Sequence, residues 1–195
     1  MAKVVVIGAG MGGMACAARL AVKRHDVTVL EQSSTYGGKL GTFERDGFVF
    51  DTGPSLVTLP AVYRDLFIKT GGELEESIDL VDLEPAFGYR FPDGTTVDMP
   101  GVDFSACARA LGDALGGTAA DDWNAFMRRA AQIWQVTRRP FLEAPLTGVG
   151  DLLPLARNLS DVRTVAPFTS LRSLAKHYLH DPRLRMLVDR YATYT

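Results

Sequence analysis

KVVVIGAGMGG, Lys3 to Gly13, sets four β-branched residues directly before four glycines. Val4 to Ile7 reads as a strand buried on both faces. Gly8-Ala9-Gly10-Met11-Gly12-Gly13 fits the spacing G-x-G-x-x-G, and Met14 to Arg24 continues in good helix formers. Glycines between a strand and a helix have a direct use. Gly8 permits a tight turn, Gly10 lets backbone come close to a pyrophosphate, and Gly13 lets the helix pack near the strand. The helix N-terminus then offers free N–H groups and a partial positive charge to phosphates.

Working outward, Asp26 to Leu30 reads as a second strand, ending in Glu31, 23 positions after Gly8. An acidic residue there can accept hydrogen bonds from an adenosine ribose, and its charge would repel a ribose 2′-phosphate, which disfavours NADP. The series strand, glycines, helix, strand, Glu31 predicts an α/β Rossmann-like nucleotide-binding domain with a parallel sheet.

After Glu31 no third strand–helix unit follows; the chain enters QSSTYGGKLGTFERDGFVFDTGPS. Tyr36-Gly37-Gly38-Lys39 is a backbone-exposing turn beside a cation. Thr42 to Glu44 and Phe48 to Phe50 flank Arg45-Asp46-Gly47, a hairpin signal, and Asp51 to Ser55 is a small-residue turn. A helix is expected over Pro60 to Lys69, stopped by Gly71 and Gly72. Ile78 to Leu83 alternates as a strand. Phe87 to Phe91 and Thr95 to Met99 form a hairpin about Pro92-Asp93-Gly94. Phe104 to Leu115 reads as a helix. Thr118 to Asp121 resembles a capping box opening a long amphipathic helix with Trp123, Phe126, Met127, Ala130 and Ile133 on one stripe. Pro140, Pro145 and Gly148 mark a loop. Asp151 to Leu159, Ser170 to Leu179 and Pro182 to Tyr194 read as helices, the last with Pro182 in its first turn.

The chain has 195 residues, 47% hydrophobic and 23% charged, as expected of a globular protein. Net charge is −2, which makes no case for nucleic acid. Its distribution is uneven: residues 1–127 carry 10 Lys/Arg and 18 Asp/Glu, and residues 128–195 carry 11 and 5, a balance of −8 against +6. The basic part reads as a solvated helical surface or as one that touches anionic lipid headgroups. Cys16 and Cys107 are too few for a disulfide framework and read as reduced and buried. No apolar run reaches transmembrane length and no secretory signal is visible, so a cytoplasmic location is expected.

With Gly37-Gly38-Lys39 in place, the series resembles FAD-dependent oxidoreductases of the amine oxidase superfamily, and more narrowly phytoene desaturases and related carotenoid oxidoreductases. The resemblance rests on VVVIGAGMGGMACAARL, VTVLEQ, YGGKLGTFERDGFVFDTGPS and the terminal RYATYT. It implies FAD as cofactor, with the pyrophosphate on Gly8 to Gly13 (Ala9, Met11 and Gly12 included) and the adenosine ribose on Glu31 beside Gln32. Gly37, Gly38 and Lys39 would lie along the FAD; the family usually has arginine after the glycines, and lysine keeps the charge without the bidentate fork. Asp51, Thr52, Gly53, Pro54 and Ser55 would approach the flavin ring, Gly53 by letting the ring sit against backbone.

The resemblance further implies a hydrophobic, isoprenoid-like substrate, dehydrogenated at carbon–carbon bonds, and peripheral contact with a membrane. Family members are much longer, so the chain is read as an N-terminal fragment. Its parts would be residues 1–84 of the nucleotide domain, 85–140 of a substrate region, and 141–195 of a helical cap or membrane-facing region. An amine oxidase, a saturase or isomerase, and a nucleotide-binding module without turnover stay open as alternatives.

No metal site is expected. His177 and His180 are spaced as if on one helix face, but no Cys or carboxylate cluster joins them. His25 reads as a turn residue. Trp123, Phe126 and Trp134 read as helix core or as the lining of a greasy pocket. No hydrolase elbow appears and no acid–base residue can be assigned; a flavin itself accepts hydride.

Overall fold

The computed structural model describes residues 1–101, 103–145, 147–152 and 158–194, and the chain divides into two units, Met1–Val81 and Asp82–Thr195. In the first, β1 (Lys3–Ile7) pairs in parallel with β2 (Asp26–Leu30), Lys3 opposite Asp26 and Ile7 opposite Leu30. The crossover between them is helix α1 (Met11–Val22), the βαβ arrangement expected from the glycine spacing. The Asp-Gly signal makes a hairpin of β3 (Thr42–Arg45) and β4 (Phe48–Asp51). Asp46 (φ 53°) and Gly47 (φ 80°) both take the positive φ that such a turn demands. Helix α2 (Pro60–Thr70) carries proline in its first turn, ends at Gly71 (φ 127°), and meets α1 through Arg19 Nη2 and Asp65 Oδ2 at 3.0 Å.

Burial departs from expectation here. β1 is not buried on both faces: it alternates between exposed and half-buried, and Ile7 is 87% exposed. Neither α1 nor α2 contains a buried residue, and Cys16 on α1 is exposed. A two-stranded sheet offers too little surface to cover a helix face. Ile78 to Leu83 is not a strand; after a short 3-10 turn, Leu74–Glu76, it runs without pairing.

The second unit holds the core. Strands β5 (Phe87–Arg90) and β6 (Thr96–Met99) form the expected hairpin, and β6 turns Val97 and Met99 inward. Helix α3 (Phe104–Leu115) is capped by Asp103, whose carboxylate accepts from the Ser105 and Ala106 amides at 2.8 and 3.1 Å, and it buries Cys107, Ala108 and Leu111. Helix α4 (Ala119–Arg138) buries Ala119, Asp122, Trp123 and Phe126, its first two turns. Farther along, α4 leaves the core, so Trp134 is exposed rather than core. The capping box does not form: Thr118 sits at φ −95°, ψ 8°, outside the extended region a capping hydroxyl needs, and its side chain bonds no amide. Nor does Pro140 open a loop. Helical winding continues through Arg139–Glu143 as one wide π turn, a form that tolerates the missing proline donor.

A 3-10 turn at Val149–Leu152 and helix α5 (Leu159–Val165) fall where one helix over Asp151 to Leu159 was expected, and residues 153–157 lie outside the described residues. Helices α6 (Leu171–Tyr178) and α7 (Pro182–Tyr191) bury Ala175, Leu184, Leu187 and Val188, with Leu179 between them. The Thr195 end of RYATYT is likewise outside the described residues.

Two polar ties, between residues far apart in sequence, lock this core. Asp122, buried on α4, accepts from the His180 amide at 2.8 Å and contacts its ring Nδ1 at 3.0 Å. His180 lies past the end of α6, so it shares no helix face with His177. Arg183 binds Asp181 by Nε at 3.0 Å and Nη2 at 2.6 Å, Asp93 and Thr95 by Nη1 at 3.1 Å, and the Leu115 carbonyl by Nη2 at 3.2 Å. One guanidinium thus joins the β5–β6 turn, the end of α3 and the start of α7. It holds the Asp181 carboxyl below its usual range, chiefly by these hydrogen bonds.

Candidate dinucleotide site

At the end of β1, Gly8 turns the chain at φ 98°, a conformation side chains oppose, and its N–H donates to the Leu30 carbonyl at 2.7 Å. Gly10 is the N-cap of α1 and remains extended (φ −74°, ψ 174°); no side chain caps the helix and its first turn holds no acid. The leading amides of α1, Met11 to Gly13, therefore keep the donor capacity that an anion would use. Gly13 packs as its position requires: a Cβ there would stand 2.0 Å from the Gly8 carbonyl oxygen. A Cβ at Gly12 would meet nothing within 4 Å.

Glu31 stands just after β2 and grips this turn. Its Oε2 accepts from the Ala9 amide at 2.6 Å and its Oε1 from the Ser33 amide at 2.9 Å. These backbone donors, Ser33 first and Ala9 second, lower the Glu31 pKa, so the site keeps its negative charge. Each carboxylate oxygen retains a further acceptor site. Ser33 escaped the sequence reading, although a carboxylate bonding the amide two residues on is a common turn device. Gln32 is exposed.

The second glycine turn lies directly on the first. Gly10 and Gly37 form a parallel bridge, and the Gly37 amide donates to the Ala9 carbonyl at 2.8 Å. Gly38 takes φ 61°, and a Cβ on it would come within 3.1 Å of the Gly10 Cα. Lys39 follows, exposed and without an ion pair among the described residues. The third turn packs against the second. The Thr52 amide donates to the Gly41 carbonyl at 2.8 Å, and a Cβ on Gly53 would fall 1.7 Å from the Lys39 carbonyl oxygen. The missing side chain of Gly53 is thus filled by backbone of the Gly37–Lys39 turn. Asp51 closes β4 opposite Thr42, and Pro54 and Ser55 are exposed. The structure therefore brings the three turns into one backbone-packed group. Gly41, unnoticed in the sequence, is its seam.

Residues 6–67, which contain all three turns, match the model of the NAD(P)-binding Rossmann-like domain. The chain is similar to the hydroxyneurosporene desaturase of Rubrivivax gelatinosus, at 34% identity over 98% of this chain and 37% of that protein. It is similar to the 4,4'-diapolycopene oxygenase of a Methylomonas species, at 29% over 98% of this chain and 38% of the other. It is also similar to the phytoene dehydrogenase of Streptomyces griseus, at 31% over 98% and 37%. The chain thus spans less than two fifths of the length of these relatives, which fits the expectation that family members are much longer. Residues 6–67 thus match a Rossmann-like NAD(P)-binding domain, and the chain that carries them is similar over nearly all of its own length to carotenoid desaturases.

Proposed function

We propose that the protein to which this chain belongs is an FAD-dependent dehydrogenase of a hydrophobic, carotenoid-type substrate. The observation that carries the reading is the join between Glu31 and the first glycine turn, with the uncapped N-terminus of α1 beside it. The residues suit FAD. The α1 amides and Gly8 to Gly13 would receive the pyrophosphate, Lys39 would add positive charge, and the spare acceptor sites of Glu31 would take the ribose hydroxyls. Bound there, FAD would supply the hydride acceptor for desaturation of a carbon–carbon bond. The names of the relatives support the substrate class.

Glu31→Ala removes both the ribose acceptor and the clamp on Ala9. Loss of a charge-assisted hydrogen bond should weaken FAD retention by roughly 10- to 100-fold in the full-length protein. Flavin absorbance of the purified variant reads this; parental occupancy would sink the assignment. The pH dependence has a definite sign. Glu31 has a depressed pKa, so its contribution is present above the ordinary carboxylate pKa and is lost only as pH falls through the lowered value. FAD affinity should therefore hold through mild acid and fail below the usual carboxylate range, and Glu31→Gln should abolish that step.

Among the described residues no helix is long and apolar enough to cross a membrane. Arg172 and Lys176 of α6, with Arg185 and Asp189 of α7, line a notch of about 230 Å³, three cations to one anion. This arrangement supports contact of residues 128–195 with anionic headgroups. The full-length protein should co-sediment with phosphatidylserine-containing vesicles and come off as salt rises. Equal binding to neutral vesicles would overturn the electrostatic part, and no binding would overturn the contact.

A further inference from the structure

We propose that Gly53 is a positioning residue that sets Lys39 for the dinucleotide through backbone alone, without itself touching the ligand; the part concerning Lys39 rests on the reading above. Five contacts form the chain of cause. A Cβ on Gly53 would sit 1.7 Å from the Lys39 carbonyl oxygen and 2.9 Å from its carbonyl carbon. Both atoms are backbone, so no rotamer change relieves the overlap. Beside this contact, the Thr52 amide holds the Gly41 carbonyl at 2.8 Å, fixing the exit of the Lys39 turn. At its entry, the Leu40 amide donates to the Gly37 carbonyl at 3.1 Å, and the Gly37 amide donates to the Ala9 carbonyl at 2.8 Å. Gly38 lies flat against Gly10, with room for no side chain larger than hydrogen unless the backbone gives.

Any displacement of the Lys39 carbonyl must therefore pass to Gly37 and Gly38, and from there to the turn that leads into α1. The Lys39 side chain, exposed and without an ion pair among the described residues, is free to meet an incoming phosphate. Where its Cα points is decided by what Gly53 leaves empty.

Two readouts on the full-length protein, of which these 195 residues are part, test this. The first needs no ligand. Amide hydrogen exchange in Gly53→Ala should accelerate at Gly37 and Leu40 by about 10-fold or more, while the β1–β2 ladder stays protected. The second uses FAD and ADP as probes across a salt series. Lys39→Ala should weaken binding and flatten its salt dependence. Gly53→Ala should flatten it equally, and the double variant should be no worse than the weaker single, since both remove the same contact. A merely structural Gly53 would lower affinity with the salt dependence intact and add to Lys39→Ala, and that result overturns the proposal, as do unchanged amides.

Should Gly53→Ala fail to fold, the adjacent seam gives a milder probe. A Cβ on Gly41 would lie 2.8 Å from Thr52 Oγ1, a side-chain atom. Gly41→Ala should therefore flatten the salt dependence, and adding Thr52→Ala, which removes that atom, should restore it; no rescue counts against the proposal. If the parent binds neither FAD nor ADP, the dinucleotide reading falls together with the role of Lys39, and the exchange result alone decides whether Gly53 holds the turns.

Discussion

In the full-length protein, Gly13→Ala should remove FAD retention altogether and lower the melting temperature, while its neighbour Gly12→Ala should leave the melting temperature no lower. Both glycines lie in the first turn of α1 and differ only in what they face. A methyl group on Gly13 would stand 2.0 Å from the Gly8 carbonyl oxygen, 3.1 Å from its carbon and 3.6 Å from Val6 Cγ1. Ordinary non-bonded contact needs about 3.5 Å, so helix or turn must move by about 1.5 Å. That movement separates the α1 amides from Gly8 and strains the Gly8–Leu30 hydrogen bond of 2.7 Å. Misplacing binding groups by an ångström costs on the order of 100-fold in a preorganised site. Gly12 faces open space, and replacing a helical glycine by alanine usually gains a few tenths to 1 kcal/mol, roughly, by restricting the unfolded chain. Thermal melts of the two variants beside flavin absorbance decide the matter. A Gly13→Ala protein with parental melting and parental flavin would refute the packing account.

The same pair shows what could be read from sequence. Backbone demands were legible, because glycine marks them one residue at a time. The turn at Gly8, the crossover α1 and the Asp46-Gly47 hairpin all follow from local stereochemistry. So do the β5–β6 hairpin and the proline-led α2 and α7. What failed depended on partners that sequence does not name. The alternation in Ile78 to Leu83 is strand-like, but no neighbouring strand satisfies its hydrogen bonds among the described residues. Val4 to Ile7 has the composition of a strand covered on both faces, yet among the described residues it pairs with β2 alone. The Asp122–His180 and Arg183–Asp93 ties join residues 58 and 90 positions apart, and no local pattern announces them. In the site, the glycines and Glu31 could be picked out singly. The stacking of one glycine turn on the next could not, because it depends on how the β3–β4 hairpin returns Gly53 to Lys39.

Expressed as these 195 residues alone, the chain should associate, bind a hydrophobic dye and hold no FAD, and the fault should lie in residues 1–81. The second unit has a closed core. Leu111, Leu179 and Leu184 are fully buried there, and α6 and α7 are packed against it. The first unit buries almost nothing apolar beyond Ala9 and Leu74. Ile7 and Val5 of β1, Phe48 to Phe50 of β4, and Val62 and Ile68 of α2 are all more than half exposed. Apolar surface left wet forgoes about 25 cal/mol per Å². Several such side chains forgo an amount comparable to the ~5–15 kcal/mol of net stability that a domain commands. The two units should accordingly part company under denaturant. Amides of α3, α4 and α7 should stay protected to the main transition, while those of β1, β2 and α1 exchange early. Because Gly8, Gly10, Gly13 and Glu31 belong to the weaker unit, cofactor retention should fail first and independently of the helical core. Size-exclusion chromatography with flavin absorbance, followed by residue-resolved exchange, tests both halves. A monodisperse yellow monomer that melts in one step would show that the exposed faces of β1, β4 and α2 need no cover, and would overturn this division of stability.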